Sequence, residues 1–348
     1  MDVLVVSSLS YVFVGVVLAL AIRKFLLLPV RLLLLMIGIV LGSITIRGMD
    51  LVTIPGSAVE LFTGILLSML VYDIFSRVKV AYHDSIHDQS LLIISMQLGG
   101  ICLFLTLFFM IFFDFVHSLL FAVLFLSITQ FDVDLKRMYR HFLQEEAVLS
   151  NVVMVSLFVI LYLIYMGDSF YILIGAGTGL LMGLLFFRLM RMSGQMGTLF
   201  LLVVATYLLA ETLGGMGIVA TAALGFFFGN VRKKTELAEF SSTLSYIVEV
   251  LLFIIAGIVI PVEFGLKPVL ISLGAVVIYH LVRFLMINMT DFELRERIFM
   301  SLCAPKGTFV IGLLLFFPLQ FSGIGVLAVM WSLIISFVAV ANERRIVG

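Results

Sequence analysis

Charge is what this sequence has least of. Asp, Glu, Lys and Arg make up 12% of its 348 residues, about half the share of an ordinary soluble domain and too little to present a wet surface. Acids and bases balance to a formal net charge of zero, so only the placement of charge carries information, and no nucleic-acid partner is expected. Cysteine is nearly absent. Cys102 and Cys303 both sit in apolar runs, which indicates neither a disulfide framework nor a thiolate metal site. Alternation of apolar and polar residues is missing too, against a lipid-facing barrel. Neither His-Glu-x-x-His nor paired acids in a Gly-x-Gly-Asp context occur, so an enzyme is not expected and no cofactor is implied.

What is present is oil in long runs: 63% of residues are hydrophobic and the mean hydropathy is +1.27. A bilayer core of ~30 Å needs roughly 20 apolar residues per helix. About thirteen segments fit, near Leu4–Ala21, Phe25–Ile46, Ser57–Phe75, Leu91–Phe113, Val116–Asp134, Glu146–Tyr165, Phe170–Met190, Gly197–Leu213, Gly217–Gly229, Leu244–Val262, Pro268–Ile287, Ile298–Phe317 and Gly323–Val340. The chain therefore reads as one all-α polytopic membrane domain over 1–348. It ends at NERRIVG just after the last span, so no soluble regulatory domain is expected. The start, MDVLVV, has no basic n-region and no small-residue cleavage site, and reads as a retained first helix.

Lys and Arg set the orientation. With the N-terminus outside, all of the 21 basic residues except Arg47, Lys267 and Lys306 fall in cytoplasmic loops, near the cytoplasmic helix ends or at the C-terminus. A multi-pass protein of the cell (plasma or inner) membrane with a cytoplasmic C-terminus is expected.

Polar residues inside the spans are the candidates for function. Leu126–Asn151, LSITQFDVDLKRMYRHFLQEEAVLSN, is the most polar stretch. Ser127, Thr129 and Gln130 interrupt the fifth span, and Ala304-Pro305-Lys306-Gly307 interrupts the twelfth, placing Lys306 ~14 Å into a ~30 Å core. Two interrupted segments in corresponding halves point to a transporter site, because broken helices offer free N–H and C=O groups at membrane depth. Ser150 and Asn151 reach the same level on the sixth span, ~15–17 Å in. Glu60, Glu211 and Glu249 are further acids at membrane depth or near the interface, each either functional or a hydrogen-bonded helix contact. Asp73 reads as an inner-boundary acid beside Arg77. His83 and His87, with Asp84 and Asp88, have a spacing that a divalent ion could use, but read as a solvated loop.

These motifs, in this order, resemble the monovalent cation/proton antiporter superfamily, in particular its sodium/proton exchanger branch. TYLLAETLGGMGIVATAALGFFFGN resembles the branch's Ala-Glu-x-x-Gly-x-Ser-Gly stretch, with Met216 at the usual Ser. APKG resembles the family's Pro-Arg/Lys-Gly break. SITQFD and EEAVLSN resemble its Ser-x-Thr-Asp-Pro and Glu-Ser-x-x-Asn-Asp pair. The resemblance implies inverted repeats, two broken crossing helices, core helices roughly over 91–165 and 268–340, the rest as scaffold, and a homodimer.

It also implies a cation site at Thr129, Gln130, Ser150 and Asn151, a structural pair of Glu146 with Arg283, and Lys306 stabilising the crossing. Both acids expected at the site are amides here, at Gln130 and Asn151. An amide offers a carbonyl oxygen but neither titrates near neutral pH nor supplies charge, whereas a desolvated carboxylate lets proton and cation compete for the same oxygens. Asp132 is the nearest substitute, with Asp134, Glu145 and Glu146 behind it. The expected function is exchange of Na⁺ or K⁺ for protons by alternating access. The alternatives are a non-exchanging paralogue that senses or binds partners, and an ion transporter uncoupled from protons.

Overall fold

A continuous apolar run in lipid must satisfy every peptide group within the segment, and a helix does so. The computed structural model describes residues 3–26, 28–46, 49–50, 52, 54–78, 85–128, 137–166, 170–193, 196–231, 235–289, 292–317 and 321–343. Among them run α1 (Val3–Leu26), α2 (Val30–Ser43), α3 (Gly56–Ser76), α4 (Ser85–Phe109), α5 (Phe115–Leu124), α6 (Arg137–Met166) and α7 (Phe170–Ser193). The second half holds α8 (Met196–Thr212), α9 (Gly217–Val231), α10 (Thr235–Val259), α11 (Leu266–Ile287), α12 (Leu294–Leu302), α13 (Thr308–Phe316) and α14 (Ser322–Ala341). Two short strands, β1 (Thr45–Ile46) and β2 (Met49–Asp50), pair antiparallel after α2.

Fourteen helices answer thirteen expected spans because the twelfth is divided. α12 stops at Leu302 and α13 starts at Thr308; Pro305, which lacks an N–H, lies between them. The fifth span breaks earlier than its polar residues suggest. α5 ends at Leu124, and the chain tightens through bonds from Phe125 N to Ala122 O (3.1 Å) and Leu126 N to Val123 O (3.0 Å). Its ten residues rise only ~15 Å, half a bilayer core. α6 and α10 each start nine residues before the expected span, at Arg137 and Thr235.

The two halves pack alike. α2 lies against α10 so closely that a Cβ on Gly38 would come within 2.5 Å of Ile254 O, and one on Gly42 within 2.5 Å of Ile258 O. α9 lies against α3 in the same way, with Gly225 on Tyr72 O and Gly229 on Ser76 O at 2.5 and 2.2 Å. α9 is seven helices after α2 and α10 seven after α3. Seven is odd, so each counterpart crosses in the opposite sense. These are inverted repeats, and each seam joins a helix of one half to a helix of the other.

Of the broken helices, α5 lies against α4 and α6, α12 against α11 and α14, and α13 against α3, α10 and α14. Phe121 of α5 stacks on Phe109 of α4 (4.3 Å between centroids) and on Phe321 before α14 (4.5 Å). Apolar side chains on the other side of the fold face outward: Phe170, Leu173, Leu184 and Leu185 of α7 are all more than half exposed, a surface suited to lipid. Among the described residues, five helices are long and apolar enough to cross a membrane unaided.

Candidate ion-translocation site

Where α5 stops, its last carbonyls have no helical N–H to accept from. Lys306, in the break between α12 and α13, fills that gap. Its Nζ donates to Ser127 O at 2.7 Å and to Phe125 O, and it lies 3.4 Å from the ring centroid of Tyr279. The backbone N–H of Lys306 donates to Ser332 Oγ at 2.6 Å, anchoring the break to α14. Lys306 is 1% exposed. A cation is tolerated at such depth only with oxygens and π-faces in place of water, and each break supplies what the other lacks.

Asn151 of α6 holds the same break from the other side. Its Oδ1 accepts from Ser127 Oγ (2.7 Å) and Ile128 N (3.2 Å), and its Nδ2 donates to Ile128 O (2.8 Å). An amide presents one acceptor and one donor group side by side, and both are used to cap an unwound residue. A carboxylate could make the first two bonds but, when ionised, not the third. The amide that departs from the family pattern is therefore matched to the backbone it faces.

Five residues earlier on α6, Glu146 is fully buried. Arg283 of α11 donates NH1 and NH2 to its two oxygens, and Gln97 of α4 donates Nε2 to Oε1. Arg283 also donates Nε to Met300 O (3.2 Å) and NH1 to the Tyr279 hydroxyl (3.3 Å). A buried ion pair overcomes its desolvation only when the remaining donors and acceptors are satisfied, and Arg283 satisfies its own across α6, α11 and α12. Tyr279 stands between the two cations, its hydroxyl toward Arg283 and its ring under Lys306.

A model of the sodium/hydrogen exchanger family, transmembrane region, matches residues 9–341. The chain belongs to the sodium/hydrogen exchanger family. Its fold is similar to that of the sodium proton antiporter MjNhaP1 from Methanocaldococcus jannaschii at pH 8, with a TM-score of 0.67, 15% identity, and coverage of 97% of this chain and 98% of that one. The electron-microscopy structure of MjNhaP1 gives a TM-score of 0.64 at 15% identity, covering 99% and 97%. No curated protein matches the chain. As an exchanger it is a multi-pass membrane protein of a transporter family, not an enzyme family, and the family's work is cation/proton antiport.

Of the residues expected at the exchanger's site, Thr129, Gln130 and Asp132 lie outside the described residues, as does Asp134. Ser150 is fully buried beside Asn151, and its hydroxyl has no hydrogen-bond partner among the described residues; Gln97 Oε1 is in the same state. Glu60 is exposed at the start of α3. Glu211 caps α9 by accepting from Gly217 N at 2.8 Å, and Asp73 pairs with Arg77 at 2.7 Å. His83 and Asp84 lie outside the described residues, as do the side chains of His87 and Asp88. Among the described residues no group of three metal-ligating side chains occurs. Sequence reasoning missed Gln97 and Tyr279; an amide in the middle of an apolar run was the available signal for the first.

Proposed function

We propose that this exchanger moves a monovalent cation, Na⁺ or K⁺, against protons by alternating access. The observation that carries the reading is the crossing itself. Two unwound segments meet at membrane depth, and main-chain oxygens gather there around a charged group, Lys306. The cation path runs past Thr129, Gln130, Ser150 and Asn151, with Asp132 supplying the negative charge that the two amides lack. Glu146 and Arg283 keep α6, α11 and α12 in register while the core, residues 91–165 and 268–340, moves against the remaining helices. The working unit is a homodimer with the N-terminus outside and the C-terminus in the cytoplasm.

The test is a pH-sensitive dye inside proteoliposomes, with pulses of Na⁺, K⁺ or Li⁺ between pH 6 and 9. Exchange predicts a cation-driven internal pH change that depends on Asp132. One observation favours the alternative of a non-exchanging sensor or partner-binding paralogue: the Asn151 oxygen is already taken by Ser127 and Ile128. Absence of any cation-driven pH change ends the exchange reading, and absence of cation flux as well selects that alternative.

A further inference from the structure

The α2–α10 seam and the break before α13 come within one hydrogen bond of each other, at Glu249. This α10 residue lies ten residues from the helix end at Val259, ~15 Å along the axis, and its side chain is 13% exposed. Arg31, at the start of α2, donates Nε to Oε1 and NH2 to Oε2, the latter at 3.2 Å. Thr308, the first residue of α13, donates its hydroxyl to the same Oε1 at 2.8 Å. One oxygen thus joins a scaffold pair to the broken helix, two residues beyond Lys306.

We propose that Glu249 is a positioning residue that latches the broken helix to the scaffold, and that opening of its bond to Thr308 is a step in translocation. The inference rests on the alternating-access reading above. Each side of the contact is fixed differently. Gly38 meets Gly257 and Ile254 backbone with no room for a side chain, so α2 and α10 move as one body and Arg31 holds the carboxylate aimed. Thr308 belongs to the crossing, whose partners are Ser127, Phe125 and Ser332. A carboxylate at the N-terminus of α13 also meets the positive end of that helix's dipole. When the core shifts, Glu249 cannot follow, so the charge-assisted bond must break and re-form in every cycle. Such a contact sets the rate of movement without touching the cation.

The experiment is a double-mutant cycle on the full chain: Thr308→Val, Glu249→Met, which removes the acceptor at similar volume, and the pair. Two readouts apply: hydrogen exchange of the amides at 307–311, and cation-driven flux in proteoliposomes. Each single variant should speed exchange of those amides roughly tenfold, and the pair no more than the larger single effect, because both remove one contact. Thr308→Ser keeps the donor and should restore protection. In flux, the maximal rate should change while the half-saturating cation concentration stays. Unchanged protection, or effects that multiply in the pair, overturns the latch. A shifted half-saturating concentration also overturns it, by making Glu249 a cation ligand. If the wild type shows no flux, the exchange reading falls, and the hydrogen-exchange cycle still decides the latch by itself.

Discussion

Replacing Asn151 by Leu, which has nearly the same shape, should remove three hydrogen bonds and nothing else. Ser127 and Ile128 are 0% and 2% exposed, so water cannot readily replace the lost partner. The Ser127 hydroxyl can rotate toward another acceptor; the Ile128 N–H and C=O cannot. Each stranded buried group costs about 1–3 kcal/mol, and burying the leucine side chain returns about 1 kcal/mol, which leaves a net loss of about 3 kcal/mol against a typical total of roughly 5–15 kcal/mol. The single tryptophan, Trp331 on α14, gives an unfolding signal, and hydrogen exchange at 124–128 localises the damage. A loss below about 1 kcal/mol, or one with unchanged exchange at 124–128, refutes the capping role.

Asn151→Asp sharpens the test. The protonated acid can donate to Ile128 O as the amide does, whereas the ionised acid faces that oxygen without a proton. The variant's deficit against wild type should therefore be small at low pH and grow as pH rises. A deficit against wild type that grows instead as pH falls contradicts this.

Three further outcomes follow from contacts elsewhere. Glu146→Ala leaves the Arg283 cation buried and unpaired, and should lower unfolding stability by about 3–5 kcal/mol; Glu146→Leu with Arg283→Met should recover most of it, since a well-packed apolar pair is often as stable as a buried ion pair. Gly42→Leu and Gly225→Leu each push a side chain into carbonyl oxygens that belong to helix backbone, so each should lower the melting temperature through an overpacking loss of about 1–3 kcal/mol; similar losses at both sites are expected from their matching geometry. Asp114 caps α5 through Val116 N and His117 N, and Asp114→Ala should cost about 1 kcal/mol, read as faster exchange at 116–118. The slight burial of Asp114 acts to raise its carboxyl, but bonds from the His117 ring and amide and the Val116 amide hold it below its usual 3.8. The cap is thus fully present above that value and is lost as pH falls through the lower folded one, where variant and wild type should converge.

Much of the fold was legible because hydropathy marks the spans and Pro305 marks one break without help from neighbours. The other break was legible only in part. Ser127 and Thr129 flag it, yet α5 ends at Leu124, inside the apolar FAVLF, because the partners that reward unwinding are Asn151 and Lys306, far along the chain. Glu146 and Arg283 could be paired through resemblance, but nothing local to Gln97 or Tyr279 says that they complete that network. Glu249 was visible as an acid in an oily helix. That it faces Arg31 and Thr308 depends on how α2 and α13 dock, which no single segment encodes. Asn151 was read as an acid lost; its bonds to Ile128 give the amide a purpose that chemistry alone did not suggest.

The paired glycine seams also constrain how the molecule can be made. Among the described residues α2 makes its glycine seam with α10, and α3 makes one with α9, so neither repeat can complete these seams when it leaves the ribosome. α2 must wait in the bilayer for some 200 residues of further synthesis, with Gly38 and Gly42 exposing peptide backbone to lipid or to a passing chain. Long-range pairing of this kind slows folding and lengthens the exposure of unfinished surfaces. Truncation after the first seven helices should therefore yield a fragment that inserts yet stays loosely packed, an orphan half whose missing seams invite quality control.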